Sequence, residues 1–412
     1  MNKYIFIITL LFKISFFSFA SAESTDEFLA RQQLKKPLPI EGLQPYGLPN
    51  FCKDTNCTVS LGLYKRLYKF TPSKETKKYS IKEELGFSEK MLVRKADSIF
   101  SSQSTLALLM VDDGKIIYEK YKPGTDANTP FQGQSLSKGV ASMTVGAALC
   151  AGYINNLDDQ AKKYNDALDG TKEGEATLAQ LMSMSSGGLR GFSPFGGFPE
   201  NGWDIGSFYN PAYKNIELMI KKYSGSQIKS DGTMVKAGEE FSYKSFDPLA
   251  ISLVLEGTEP GRFKKIFQEE LIDRVGFEGN VYWVHDEKGY PHLANAFIAN
   301  LRDWGRFADF VMQSINSKEN NCMDNYVKDA TKTQIKNRTN MWGSNFTFHE
   351  MMGGYGYYFW TDKKNSRNGG VHLVGGFGQM LSINPSKRKY IVMISSKDNN
   401  EFMSFYDLYE MF

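Results

Sequence analysis

Three separated stretches of this 412-residue sequence carry residue types that could do chemistry together. The first is Phe131-Gln132-Gly133-Gln134-Ser135-Leu136-Ser137-Lys138, which runs into Gly139–Leu149, a segment rich in small residues. That composition predicts a helix buried all round, with Ser135 at its N-terminal turn and Lys138 one turn later on the same face. A serine hydroxyl is a poor nucleophile until a neighbouring base takes its proton, and this spacing brings an amine within reach. The amine is a base only when neutral, and both burial and the positive end of the helix disfavour the ammonium form. The same helix end offers the Ser135 amide to a developing oxyanion. Ser-x-x-Lys also occurs at Ser226–Lys229 and Ser386–Lys389, both in polar, turn-like sequence, so the spacing alone does not single out Ser135.

The second stretch, Ala237–Asp247, precedes a helix that starts near Pro248. Its Tyr243 can relay protons between nucleophile, leaving group and lysine, and Ser245 can hydrogen-bond the lysine or a substrate; packing against the helix start is the plainer role for a lone tyrosine. The third is Val371-His372-Leu373-Val374-Gly375-Gly376-Phe377-Gly378-Gln379. Glycines at Gly375 and Gly376 leave a strand edge bare, so an N–H near Gly376 and Phe377 can be a second oxyanion donor, with a Gly-rich bulge as the alternative. His372 is either a pocket-lining donor or a satisfied structural imidazole, the second being the better reading. A Gly-x-Ser-x-Gly elbow, a phosphate-binding loop and a His-Glu-x-x-His helix are all missing from the sequence.

The elements that must position these residues fall into two kinds. Thr105–Val111 and Ile116–Glu119, separated by Asp112-Asp113-Gly114-Lys115, predict a β-hairpin. Tyr355–Trp360, Val371–Val374, Met380–Ile383 and Tyr390–Ile394 predict further short strands. Between these ends, 138–153, 178–184, 248–255, 262–275 and 301–314 carry helical spacing. The expected fold is therefore α/β of the α+β kind: an antiparallel sheet built from both chain ends, flanked by helices, with an inserted helical subdomain. Regular structure is expected from near Glu83, after a polar, proline-containing arm over residues 23–80. The main domain then spans 81–412.

Residues 1–22 read as a secretory signal peptide: Lys3, an apolar run, and small residues at Ala20 and Ala22. With Lys3 and Lys13 removed the formal charge falls from +3 to +1, which gives no electrostatic case for nucleic acid. No later segment approaches the length of a membrane span. Cys52 and Cys57 sit in a short polar loop and predict a local disulfide in an exported chain, whereas zinc lacks a second ligand pair. Cys150 and Cys322 read as two unpaired thiols. Leu189–Asn215, aromatic and glycine-rich, reads either as a lid or binding wall or as a loop packed on the domain.

The order Ser-x-x-Lys, Tyr-x-Ser and Gly-rich strand, over roughly residues 100–400, resembles the penicillin-recognising serine hydrolases, in their class C β-lactamase-related branch. Leu178–Gly188 is similar to that family's Leu-Leu-x-Met-x-Ser-Gly stretch. Phe241–Asp247, Tyr282-Trp283 with Asp286, Asn300–Phe307 and Gly375–Gln379 most resemble the 6-aminohexanoate-dimer hydrolases and related esterases. The resemblance implies a β-lactamase/transpeptidase-like fold and an exported bacterial hydrolase, periplasmic or secreted, that cleaves esters or amides of a small acyl compound or short peptide without a cofactor. It carries nucleophile, base and proton relay onto Ser135, Lys138 and Tyr243. Two departures stand out: Ser245 replaces the Asn that follows the tyrosine, and Leu373 or Val374 stands where penicillin-binding members carry a lysine. Both argue against efficient β-lactam hydrolysis. A peptidase acting on D-amino acids of the cell wall and a non-catalytic binding homologue are the alternatives.

Overall fold

A computed structural model describes residues 67–76, 78–102, 105–189, 215–229, 231–336, 352–362, 369–395 and 401–412. The chain runs through β1 (Leu67–Phe70), β2 (Ser80–Ile81) and helix α1 (Phe87–Ser102) into the hairpin β3 (Thr105–Asp112) and β4 (Lys115–Tyr121). Asp113 and Gly114, at φ 46° and 78°, make the two left-handed positions that let so short a turn join twisted strands. Next come β5 (Pro130–Gln132), a 3₁₀ turn (Gln134–Leu136) and α2 (Ser137–Cys150). The helical region holds α3 (Lys172–Glu175), α4 (Leu178–Met182), α5 (Ile216–Tyr223) and α6 (Phe246–Glu256). It continues with α7 (Arg262–Ile266), which passes through a π turn (Phe267–Leu271) into α8 (Ile272–Val275). After β6 (Val281–Val284) and β7 (Phe297–Asn300) follow α9 (Leu301–Asn316), α10 (Cys322–Ala330) and β8 (Ile335–Lys336). The chain then forms β9 (Met352–Tyr355), β10 (Trp360–Asp362), β11 (Val371–Gly375), β12 (Gln379–Asn384), β13 (Lys389–Ser395) and α11 (Glu401–Met411).

Nine strands form one sheet in the order β2-β4-β3-β13-β12-β11-β10-β9-β8, antiparallel except for β2 against β4. Strands from the two chain ends meet at β3 and β13, as expected from the sequence. Ala107–Val111 and Tyr390–Ile394 are fully buried, because helices cover both faces of this sheet. On one face α1 packs with α11; on the other lie α9 and α10 with α2. A second sheet, β1-β6-β7-β5, was not expected, and Leu67–Phe70, within the stretch read as an arm, pairs in it with β6.

Two expectations are corrected. Tyr355–Trp360 is not one strand: β9 ends at Tyr355, the chain turns through Gly356–Phe359 with Tyr358 at φ 66°, and β10 starts at Trp360. Its aromatic residues favour strands, but Tyr357 N–H donates to Ala330 O and Tyr358 N–H to Met182 O, and these long-range bonds override local preference. Cys150 and Cys322, read as unpaired, form a disulfide that fastens the C-terminal end of α2 to the start of α10. Residues 1–66, with Cys52 and Cys57, and most of the aromatic loop at 189–215 lie outside the described residues. Among the described residues no helix is long and apolar enough to cross a membrane.

Candidate active site

The turn that carries Ser135 is stitched to β7. Gly133 N–H donates to Phe297 O at 3.0 Å, and Phe297 N–H donates to Ser137 Oγ at 2.9 Å. Gln134 takes φ 49°, an uncommon conformation for a residue with a side chain, and sets the reversal that leaves Ser135 partly exposed. One turn on, Lys138 is buried. Its Nζ lies 2.8 Å from Ser135 Oγ and 2.6 Å from Ala294 O. Burial brings the amine down from the usual lysine range to about 7, so a large share of it is neutral at neutral pH and able to accept the Ser135 proton.

Tyr243 sits on the opposite wall, in the irregular segment before α6. Its ring stacks on Trp360 at 5.7 Å and 15°, and meets Tyr355 edge-on at 6.1 Å. Lys138 Nζ stands 5.0 Å from the centre of the same ring. Burial pushes the phenol up to about 12, and hydrogen bonding with Ser135 pulls the other way, so at neutral pH the hydroxyl keeps its proton. Ser135, Lys138 and Tyr243, 108 positions apart in sequence at the extremes, are thus in mutual contact.

The end of β11 forms the third wall. A Cβ placed on Gly375 would lie 2.6 Å from Gly133 O and 3.0 Å from the Ser135 amide nitrogen, so only glycine lets this strand come so close to the Ser135 turn. Gly376 is exposed, with open space where a side chain would be. The backbone of Phe377 belongs to the 3₁₀ turn Gly376–Gly378; its side chain is outside the described set. Leu373 packs on α2, where a Cβ at Gly139 would sit 2.5 Å from Leu373 Cδ1.

Of the two readings of His372, the structural one holds and the pocket-lining one is ruled out. His372 is buried on the opposite face of the sheet, with Nδ1 2.7 Å from Ser382 Oγ and Nε2 2.9 Å from Asp362 Oδ1, beside Tyr406 and Tyr409 of α11. Both ring nitrogens are occupied, and the imidazole is a strut, not a pocket-lining donor. Ser245 is buried at the start of α6, and the hydrogen bonds of Lys138 go to Ser135 and Ala294, so of its two readings the bond to the lysine is not made. The two other Ser-x-x-Lys spacings pair no serine with its lysine: Ser386 bonds Asn384, and Lys229 pairs with Glu239. Sequence reasoning missed Ala294, Tyr355 and Trp360, which reach the site only through the pairing of distant strands.

The family model for beta-lactamase matches residues 98–412. Among solved structures, a Bacillus anthracis protein assigned as a 6-aminohexanoate-dimer hydrolase is 20% identical at a TM-score of 0.64, covering 83% of this chain and 89% of that one. A Bacteroides dorei protein assigned as a beta-lactamase is 18% identical at a TM-score of 0.55, over 75% of this chain and 91% of that one. An octameric penicillin-binding protein homologue from Pyrococcus abyssi is 16% identical at a TM-score of 0.54, over 78% and 76%. At these identities the likenesses show the fold alone. No curated protein matches the chain.

Proposed function

Since the chain belongs to the Beta-lactamase family, we propose that it is an exported serine hydrolase that cleaves an ester or amide of a small acyl compound through an acyl-enzyme. The observation that carries this reading is the buried Lys138 amine, brought down to about 7 by burial, 2.8 Å from a partly exposed Ser135 hydroxyl. Ser135 Oγ attacks the carbonyl carbon while its proton passes to Lys138. The Ser135 amide and an N–H at Gly376 or Phe377 receive the developing oxyanion. As the bond to the leaving group breaks, Tyr243 donates its proton to the departing oxygen or nitrogen and is reprotonated from Lys138. Water then attacks the acyl-enzyme, giving up its proton to the same groups, and Ser135 is released with its hydroxyl restored.

An esterase or amidase is favoured over a cell-wall carboxypeptidase because β11 carries Leu373 and Val374, neither of which can hold a substrate carboxylate. Export is supported by the Cys150–Cys322 disulfide, a bond that persists in oxidising compartments. Intact-mass spectrometry after incubation with a fluorophosphonate tests the assignment. One adduct is expected in the wild type, none in Ser135→Ala, and on the order of 10²-fold slower formation in Lys138→Ala. A wild type that stays unlabelled, or an adduct that survives in Ser135→Ala, would refute it in favour of a binding homologue.

A further inference from the structure

Directly behind Tyr243 the chain buries a charge that the proposed chemistry does not use. Tyr243 turns toward Ser135, while the next residue, Lys244, turns into the interior and is fully buried. Lys244 Nζ donates to Gly188 O at 3.1 Å and lies 3.7 Å from Asp247 Oδ2, itself fully buried in the first turn of α6. Asp247 Oδ1 accepts from Ser186 Oγ at 2.7 Å. Glu173 of α3, also buried, accepts from Ser224 Oγ at 2.7 Å and acts electrostatically on the same cluster. Burial raises both carboxyls, Asp247 to about 7.

We infer that Lys244, held by Asp247 and Glu173, is a positioning residue for Tyr243. The tyrosine backbone is clamped on both sides by a single loop. Ser242 N–H donates to Met184 O at 2.8 Å and Gly238 N–H to Ser185 O at 2.7 Å before the tyrosine; the Lys244 ammonium holds Gly188 O after it. A buried ion pair is a poor source of stability, since desolvating both charges offsets most of their attraction and an apolar side chain of equal size would fill the space as well. What it supplies is register: sliding the segment would separate Lys244 from Asp247 and strand two charges without water. A displacement of about 1 Å at a reacting group is enough to cost on the order of 10²-fold in rate, and Tyr243 must stay in line with both Ser135 and Lys138.

The inference rests on Ser135 being the nucleophile, and the test separates the two claims. Wild type, Lys244→Met, Asp247→Asn and the double variant are compared for the rate of fluorophosphonate adduct formation per folded molecule, and for kcat and KM on a short-chain p-nitrophenyl ester. Each single variant is expected to react on the order of 10- to 100-fold more slowly, with the loss in kcat and KM little changed. The double variant, which lacks both halves of the one contact that holds the register, is expected to be about as slow as the slower single variant. A wild-type rate in Lys244→Met, or losses that simply multiply in the double variant, would overturn the inference. If the single charge variants do not fold, Ser186→Ala, which removes only the hydroxyl bonded to Asp247, is read in the same assay: several-fold slowing supports the inference and an unchanged rate overturns it. An unlabelled wild type overturns both claims at once.

Discussion

Among the described residues, two serines stand within hydrogen-bonding distance of a basic side-chain nitrogen. Ser135 Oγ is 2.8 Å from Lys138 Nζ, and Ser382 Oγ is 2.7 Å from His372 Nδ1, whose other nitrogen meets Asp362 Oδ1 at 2.9 Å. By residue type, the second set has the make-up of a Ser-His-Asp triad, and by distance it is the tighter. Yet Ser382, His372 and Asp362 face one another from three adjacent strands beneath α11, and all are buried. Ser135 is partly exposed, sits beside the open space at Gly376, and is served by an amine that burial has brought to about 7. Proximity of serine and base is common to both; access for an acyl group and a base poised near working pH belong to one.

The sharpest way to break that comparison is to delete each serine. Ser135→Ala is expected to abolish p-nitrophenyl ester turnover, whereas Ser382→Ala should keep turnover per folded molecule within about 2-fold and cost about 1 kcal/mol in denaturant unfolding. Loss of turnover in Ser382→Ala alone would make the buried set the catalytic one.

The next largest effect lies in the base. Acylation should rise with pH through about 7, because Lys138 accepts a proton only above the pH at which it has lost its own. Lys138→Met should slow acylation on the order of 10²-fold and flatten that profile. The same substitution should stabilise the fold. Lys138 is held below the ordinary lysine range, so the unfolded chain binds its proton more tightly; the penalty is fully present below about 7 and disappears as pH approaches the unfolded value. Lys138→Met is therefore expected to gain roughly 1–3 kcal/mol at pH 6, with the gain shrinking by pH 10, as read by urea unfolding at the two pH values. A destabilised variant at pH 6 would mean that burial does not hold the amine below the ordinary lysine range.

How much of this was legible differs between the same two regions. Ser135 and Lys138 are three residues apart on a helix start, so local spacing exposes them, and the Asp-Gly turn and the helical runs are equally local signals. Tyr243 and the glycines of β11 were found through their motif order, but what holds them was not: Trp360 stacks on Tyr243 only because β10 pairs with β11, and Ala294 reaches Lys138 from 156 positions away. The partners of His372 were hidden for the same reason. Asp362 and Ser382 each lie ten residues from it and meet it through strand register, and Cys322 finds Cys150 across 172 positions. Contacts made by sheet pairing and tertiary packing leave no periodic trace in the sequence.

The smallest expected effect is the one that best separates strut from site. His372→Gln keeps one amide able to reach either Asp362 or Ser382, and leaves the other without its partner in a buried layer. Such a loss costs about 1–3 kcal/mol. Asp362 retains Gly370 N–H at 2.7 Å, which holds the expected loss near the lower end. Because His372 points to α11 while its neighbour Leu373 points to α2, the damage should stay on the α11 face, and fluorophosphonate labelling of Ser135 should proceed within about 2-fold of the wild-type rate. If labelling instead slowed in proportion to the stability lost, the two faces of β11 would be coupled, and the strand that lines the site would owe its position to the buried imidazole.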